Sequence, residues 1–132
     1  MIEKEEIRST LYSNEFKEFR DSLDKRTQNK IDDNVSILKT VYVLSTKFVK
    51  KVVNTDFYEM RVSVGFNEYR TILFAIDHEN IIQSTKIILL NGFLKKSSKD
   101  YDRQIKKAIN ILNNLEYGTQ FGPGKISKTS QL

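Results

Sequence analysis

The chain of 132 residues has no cysteine and no tryptophan, one histidine, one proline and five glycines. Without cysteine there is no disulfide framework, no thiol nucleophile and no Cys-based zinc or iron–sulfur site. One histidine excludes a multi-His metal site within the chain, so no metal and no other cofactor is expected. No apolar run approaches the roughly 18–20 residues needed to cross a bilayer, so no membrane partner is expected. The N-terminus reads Met-Ile-Glu-Lys-Glu-Glu, not the basic-then-apolar order of a secretory signal. The expectation is a soluble cytoplasmic protein.

What is present is aromatic and basic. Eight Phe and six Tyr supply enough large side chains for a core, which argues against wholesale disorder. The length suits one domain, and residues 1–115 are expected to form it. The net charge of +5 is unevenly spread. Residues 1–40 hold eight Lys or Arg against nine Asp or Glu, whereas residues 41–110 hold twelve against seven. A localised basic surface suits a polyanion such as nucleic acid; a solvated surface without a partner is the alternative.

Hydrophobic spacing gives the element order. Ile7–Tyr12 reads as a short edge strand. Ser13 or Asn14 can cap a helix carrying Phe16, Phe19 and Leu23 at helical spacing, broken by Asp24-Lys-Arg-Thr. A second helix, about Thr27 to Thr40, carries Ile31, Val35 and Leu38. The two form a helical hairpin. Val41–Thr55 reads as an irregular connection with Lys outward. The period then becomes two: Phe57–Val64 is a strand, Gly65-Phe66-Asn67 a turn and Tyr69–Ile76 a central strand. After the loop Asp77-His78-Glu79-Asn80 comes a third strand, Thr85–Phe93, with a bulge or close approach at Gly92. Asp100 is the expected cap of a last helix, Tyr101 to about Leu115, with Ile105, Ala108, Ile109, Leu112 and Leu115 inward. Residues 116–132 are expected to be a mobile tail. The fold class is α+β, with helices on one face of a small antiparallel sheet.

No Gly-rich phosphate loop, paired-carboxylate arrangement or nucleophile signature stands out. His78 has the flanks of a solvated loop. What remains is a set of cations at strand ends. Arg61 and Arg70 lie on neighbouring strands, and Lys95 and Lys96 follow the third. Arg70 shares a face with Ile72, Phe74 and Ile76, so its charge must reach solvent or a partner. Converging, these cations would suit metal-free RNA cleavage through the 2′-OH, in which Arg and Lys stabilise phosphate charge and a Lys or Tyr moves protons. The alternative is that Arg61 pairs with Glu59 or Glu68 as a structural salt bridge and the lysines form an ordinary polar rim.

Phe57-Tyr-Glu-Met-Arg-Val62, Glu68-Tyr-Arg-Thr-Ile-Leu-Phe74 and Ile88-Leu-Leu-Asn-Gly-Phe-Leu-Lys-Lys-Ser97 precede a helix opening at Asp100. In that order they resemble the HigB-like, phage-derived-protein-like branch of the RelE/ParE toxin superfamily. The resemblance is dense over residues 57–112 and looser over 14–56. It implies a RelE-like fold and a type II toxin whose cognate antitoxin is a small helix-turn-helix protein. RelE-like and HigB-like members inhibit translation as ribosome-dependent mRNA endonucleases (mRNA interferases) without a metal; ParE-like members inhibit DNA gyrase. A relative that only binds its antitoxin is a third reading. The resemblance matches Arg70 to the family's Tyr-Arg strand and Lys95 and Lys96 to its basic segment. These, with Tyr101, which stands near where some relatives carry a catalytic Tyr, are the expected catalytic residues; Arg61, Lys99, Lys106 and Lys107 are the expected RNA contacts. The chain departs from the branch at Asn91, where a His is frequent, and at Tyr101, where a Pro commonly opens the helix.

Overall fold

The computed structural model describes residues 5–118 and 129–131. Nine elements follow in order: β1 (Ser9–Ser13), α1 (Asn14–Asp21), α2 (Lys25–Thr40), β2 (Val49–Lys51), β3 (Phe57–Val64), β4 (Asn67–Ala75), β5 (Lys86–Leu94), α3 (Ser98–Gly118) and β6 (Thr129–Gln131). The strands form one sheet in the order β2-β3-β4-β5-β1-β6. The architecture is α+β and consistent with a RelE-like fold. The sheet is mixed rather than antiparallel, because β1 runs parallel to β5 with Ser9 opposite Lys86 and Tyr12 opposite Leu89. β1 is not an edge strand either, since β6 pairs along its other side. The expected tail thus begins as the last turn of α3 and returns as β6, while residues 119–128 lie outside the described residues.

The helices occupy both faces, which corrects the one-face expectation. Phe16, Ile31, Val35 and Leu38 of the hairpin pack with Met60, Val62, Leu73, Ile87 and Leu89. Ala108, Ile111, Leu112 and Leu115 of α3 pack with Phe57, Ile72, Ile88, Leu90 and Phe93 on the other side. In α3, Ile111 takes the buried place expected for Ile109, which is 42% exposed. The helix also starts earlier than expected: Ser97 Oγ accepts from the Asp100 amide at 3.2 Å, so Ser97 caps and Asp100 stands in the first turn. Asp24 is likewise a cap, accepting from Thr27 N, so α2 begins at Lys25 rather than Thr27. Ser13 caps α1 as expected, accepting from Phe16 N at 3.0 Å.

Two backbone details set the register. Gly65, at φ +60°, is the first residue of the two-residue β3–β4 turn, a conformation that costs an L side chain. In β5 the pairing shifts: Ile72 faces Asn91 and Leu73 faces Leu89, so Leu90 is the bulged residue. Ser13 Oγ donates to the Leu90 carbonyl. Gly92 is a close approach, since a Cβ there would lie 2.2 Å from the Phe19 ring. The bulge carries Asn91 and Phe93 to the α3 face, in line with Ile72 and Arg70.

Arg8, 2% exposed, locks the N-terminal strand in place. Its five N–H groups donate to the carbonyls of Ile81 (3.2 Å), Leu38 (3.0 Å), Val41 (2.6 Å), Tyr42 (2.7 Å) and Ile82 (2.7 Å). The end of α2, the start of the following connection and the 81–82 turn are thereby tied to β1. No helix among the described residues is long and apolar enough to cross a membrane.

Candidate functional site

On the α3 face, alternation along β3 places Phe57, Glu59 and Arg61 in one row. Antiparallel pairing sets Glu59 beside Lys50 of β2 and Arg61 beside Arg70 of β4. This face is not the solvated side of a strand, because the first turns of α3 lie over it. Glu59 is therefore 6% exposed and becomes the hub of the site. Arg61 Nε donates to Glu59 Oε1 at 3.0 Å, and Arg70 Nε lies 3.7 Å from the same oxygen. The Tyr101 hydroxyl donates to Glu59 Oε2 at 2.5 Å.

Each side chain is held from behind. The Tyr101 ring stands edge-on to Phe93, with centroids 5.8 Å apart, and the Phe93 position follows from the β5 bulge. Burial, and then the bond to Glu59, push the Tyr101 hydroxyl well above its ordinary pKa of 10.0, so it stays a proton donor. Arg70 Nη1 donates to Glu68 Oε1 at 3.2 Å and to its neighbour's carbonyl at 3.3 Å. Glu68 also accepts from Ser63 Oγ; that bond and Arg70 hold its carboxyl below the usual range. Arg70 Nη2 makes no hydrogen bond among the described residues, and Arg70, which is 5% exposed, lines neither of the two cavities at this end of the sheet.

Tyr101 separates two cavities. The larger, about 530 Å³, lies between the β2–β3 connection and α3, and its lining includes Lys50, Lys51, Glu59, Arg61, Tyr101 and Lys106. The smaller, about 180 Å³, is lined by Lys95, Lys96, Ser97, Ser98, Tyr101 and Asp102. The expected residues Arg61, Arg70, Lys95, Lys96, Tyr101 and Lys106 are thus brought to one end of the sheet. Lys99 and Lys107 are exposed on α3 and line neither cavity. Arg61 makes the salt bridge to Glu59 that the alternative reading foresaw. The patch is not purely cationic: two guanidinium groups share a buried carboxylate, and lysines stand outside. Asn91, at the departure from the HigB-like pattern, donates to the Gln104 carbonyl and side chain at 3.1 Å each and so pins α3 to β5.

Sequence reasoning missed Glu59 as a hub and missed Lys50 and Lys51 on the cleft rim. The signal for Glu59 was its i, i+2 spacing to Arg61 on one strand face. The signal for the lysines was a paired Lys-Lys just before the alternating strand. His78 behaves as its loop flanks suggest, accepting from Asn80 N at 2.9 Å.

The model of the phage-derived Gp49-like family (DUF891) matches residues 17–113. The chain belongs to that family. The Gp49-like family is RelE- and toxin-like. Its match in this chain runs from α1 to α3 and contains Glu59, Arg61, Arg70, Lys95, Lys96 and Tyr101, while β1, Arg8 and β6 fall outside it. No curated protein matches this Gp49-like chain at a significant level.

Proposed function

We propose that this Gp49-like protein is the toxin of a type II toxin–antitoxin pair, of the HigB-like kind, and that it cleaves mRNA on the ribosome in the cytoplasm. The observation that carries the reading is the cluster of Arg61, Arg70 and Tyr101 on Glu59, in which Arg70 Nη2 is left without a hydrogen bond among the described residues, with Lys95, Lys96 and Lys106 lining the two flanking cavities. A guanidinium that keeps an unused amino group can receive a phosphate oxygen. Cleavage through the RNA's own 2′-OH needs that hydroxyl deprotonated, the pentavalent phosphate stabilised and the 5′-oxygen protonated. The 2′-OH proton leaves to solvent water, and Arg70 serves the second need, with Lys95 or Lys96 assisting. Tyr101, kept protonated, can give its one hydroxyl proton to the leaving oxygen once it turns from Glu59 to the substrate, and is restored from water. Glu59 is a positioning residue that orients both arginines and the Tyr101 hydroxyl. A cognate antitoxin, a small helix-turn-helix protein, completes the pair by covering part of this basic surface.

A second reading rests on the same cluster. Glu59 already accepts from Tyr101 and neutralises Arg61 and Arg70, an internally satisfied arrangement that suits an inactive relative retaining antitoxin binding. Induced expression with mapping of mRNA ends and of plasmid supercoiling separates the readings. Codon-linked cuts that vanish in a folded Arg70→Ala variant support the endonuclease. Altered supercoiling with intact mRNA supports a ParE-like action on gyrase, and no effect on either supports the inactive relative.

A further inference from the structure

Phe66 is the second residue of the β3–β4 turn, and its relative exposure of 107% means nothing in the described chain covers it. Such a turn favours Gly, Asn, Asp or Ser, so a phenylalanine there serves neither the turn nor the core. Its mount is stiff, because Gly65 sets the turn and Ser63 Oγ donates to Glu68 across the next rung. Arg61 and Arg70 pair three rungs below Val64 and Asn67. Four residues of strand put the tip about 13 Å from Arg70. Lys95, whose amide donates to the Glu68 carbonyl, and Lys96 leave β5 at this same end of the sheet. Both carboxylates beside the arginine pair, Glu59 and Glu68, are already paired with arginine.

We propose that Phe66 is a stacking platform for one unpaired nucleobase of an RNA strand whose phosphates are held by Lys95, Lys96 and the arginine pair. The inference rests on the RNA reading above and deepens it. A lone ring suits a base better than a protein pocket. Among the described residues, the other large exposed apolar side chains, such as Ile37, Tyr42 and Val53, all lie outside the β3–β4 hairpin, so the hairpin itself presents no second exposed large apolar residue to help seal a protein hot spot. A base offers one flat π-face of matching size, and adjacent cations supply the backbone contact.

The absence of tryptophan makes the test clean, since Phe66→Trp introduces a unique fluorophore. Titration with adenosine and uridine homopolymers of single-stranded RNA, without ribosomes, should quench it. Tyr and Trp variants should bind as tightly as the parent, whereas Phe66→Leu and Phe66→Ala should lose about 5- to 150-fold in affinity. Their salt slope should be unchanged, while Lys95→Ala should lower the slope by about one. Unchanged melting temperatures establish that the variants fold. Equal RNA affinity for Phe and Leu, or no quenching, overturns the proposal. So does toxicity that Leu restores and Ala loses at constant RNA affinity, which would identify a protein pocket as the ring's partner. Ring-dependent RNA affinity without cleavage on programmed ribosomes defeats the endonuclease reading and leaves Phe66 standing; cleavage with ring-indifferent binding does the reverse.

Discussion

Arg8 and Arg70 are nearly equally buried, at 2% and 5% exposure, and yet they do opposite things. Arg8 meets only carbonyl oxygens, and all five of its N–H groups are used. Burial pulls its pKa below the ordinary value, and five backbone dipoles offset the lost hydration. Arg70 meets carboxylates, which cancel its charge, and keeps one amino group without a hydrogen bond among the described residues. A saturated buried cation is a tie between segments; an unsaturated one is poised for a ligand. Burial alone does not distinguish them, whereas counting donors does.

The comparison breaks first at Arg8. Arg8→Met should cost about 4 kcal/mol or more, because several buried carbonyls lose their partner at roughly 1–3 kcal/mol each. Arg8→Lys should recover little, since three donors cannot replace a five-donor fork. Urea denaturation decides it; a near-native midpoint for Arg8→Met would remove the tie from the account of the fold.

Arg70→Ala should lose less stability than Arg8→Met but about 10²–10³-fold in single-turnover cleavage on programmed ribosomes. Arg70→Lys should fail to restore it, because a lysine is a single point charge. Full toxicity of a folded Arg70→Ala, Lys95→Ala double variant would remove the site assignment.

Tyr101→Phe keeps the ring against Phe93 and deletes the donor to Glu59, an effect of about 1 kcal/mol near neutrality. Its pH signature is sharper. The Tyr101 pKa is raised on folding, so its contribution is fully present below about pH 10 and is lost as the pH rises above that. Alkaline melts should show the parent losing stability more steeply than the Phe variant; parallel curves would count against the Glu59 bond.

The smallest effect is expected at Asp77, an exposed carboxylate that resembles Arg8 in being saturated. Burial would raise its pKa, but hydrogen bonds from Ser84, Thr85 and Lys86 outweigh that and depress it. Stability from this group is present above pH 3.8 and lost as the pH falls further. Asp77→Asn should therefore differ from the parent at neutral pH and converge with it in acid; a constant offset across that range would show that the charge plays no part.

Some of this was readable in the residues and some was not. The β3–β4 hairpin announces itself by period-two alternation around Gly65, and Arg70 by a charge at the head of an apolar strand face. β2 escaped because three residues are too few to establish a period. Asp24 was read as the end of one helix when it is the cap of the next; the residue preferences for the two overlap. The α3 stripe was centred wrongly, because Ile109 and Ile111 flank the same seam and only the sheet decides which one it covers. Glu59 illustrates the main limit. Alternation separates the two faces of a strand, but it does not say that a helix from 40 residues later will cover the polar one.

The parallel pairing of β1 with β5 has a consequence for how the chain is made. A polypeptide leaves the ribosome N-terminus first, and Ser9–Tyr12 have no in-chain partner on their β5 side until Lys86–Leu89 have emerged. Closure across so many residues is slow as well as late. Lys95, Lys96 and Tyr101 follow still later, in the last third of the chain. Nascent chains arrested before Lys86 should accordingly remain protease-sensitive, and the cluster around Glu59 cannot assemble until synthesis is well advanced. The site therefore stays unformed for most of elongation, whatever its target.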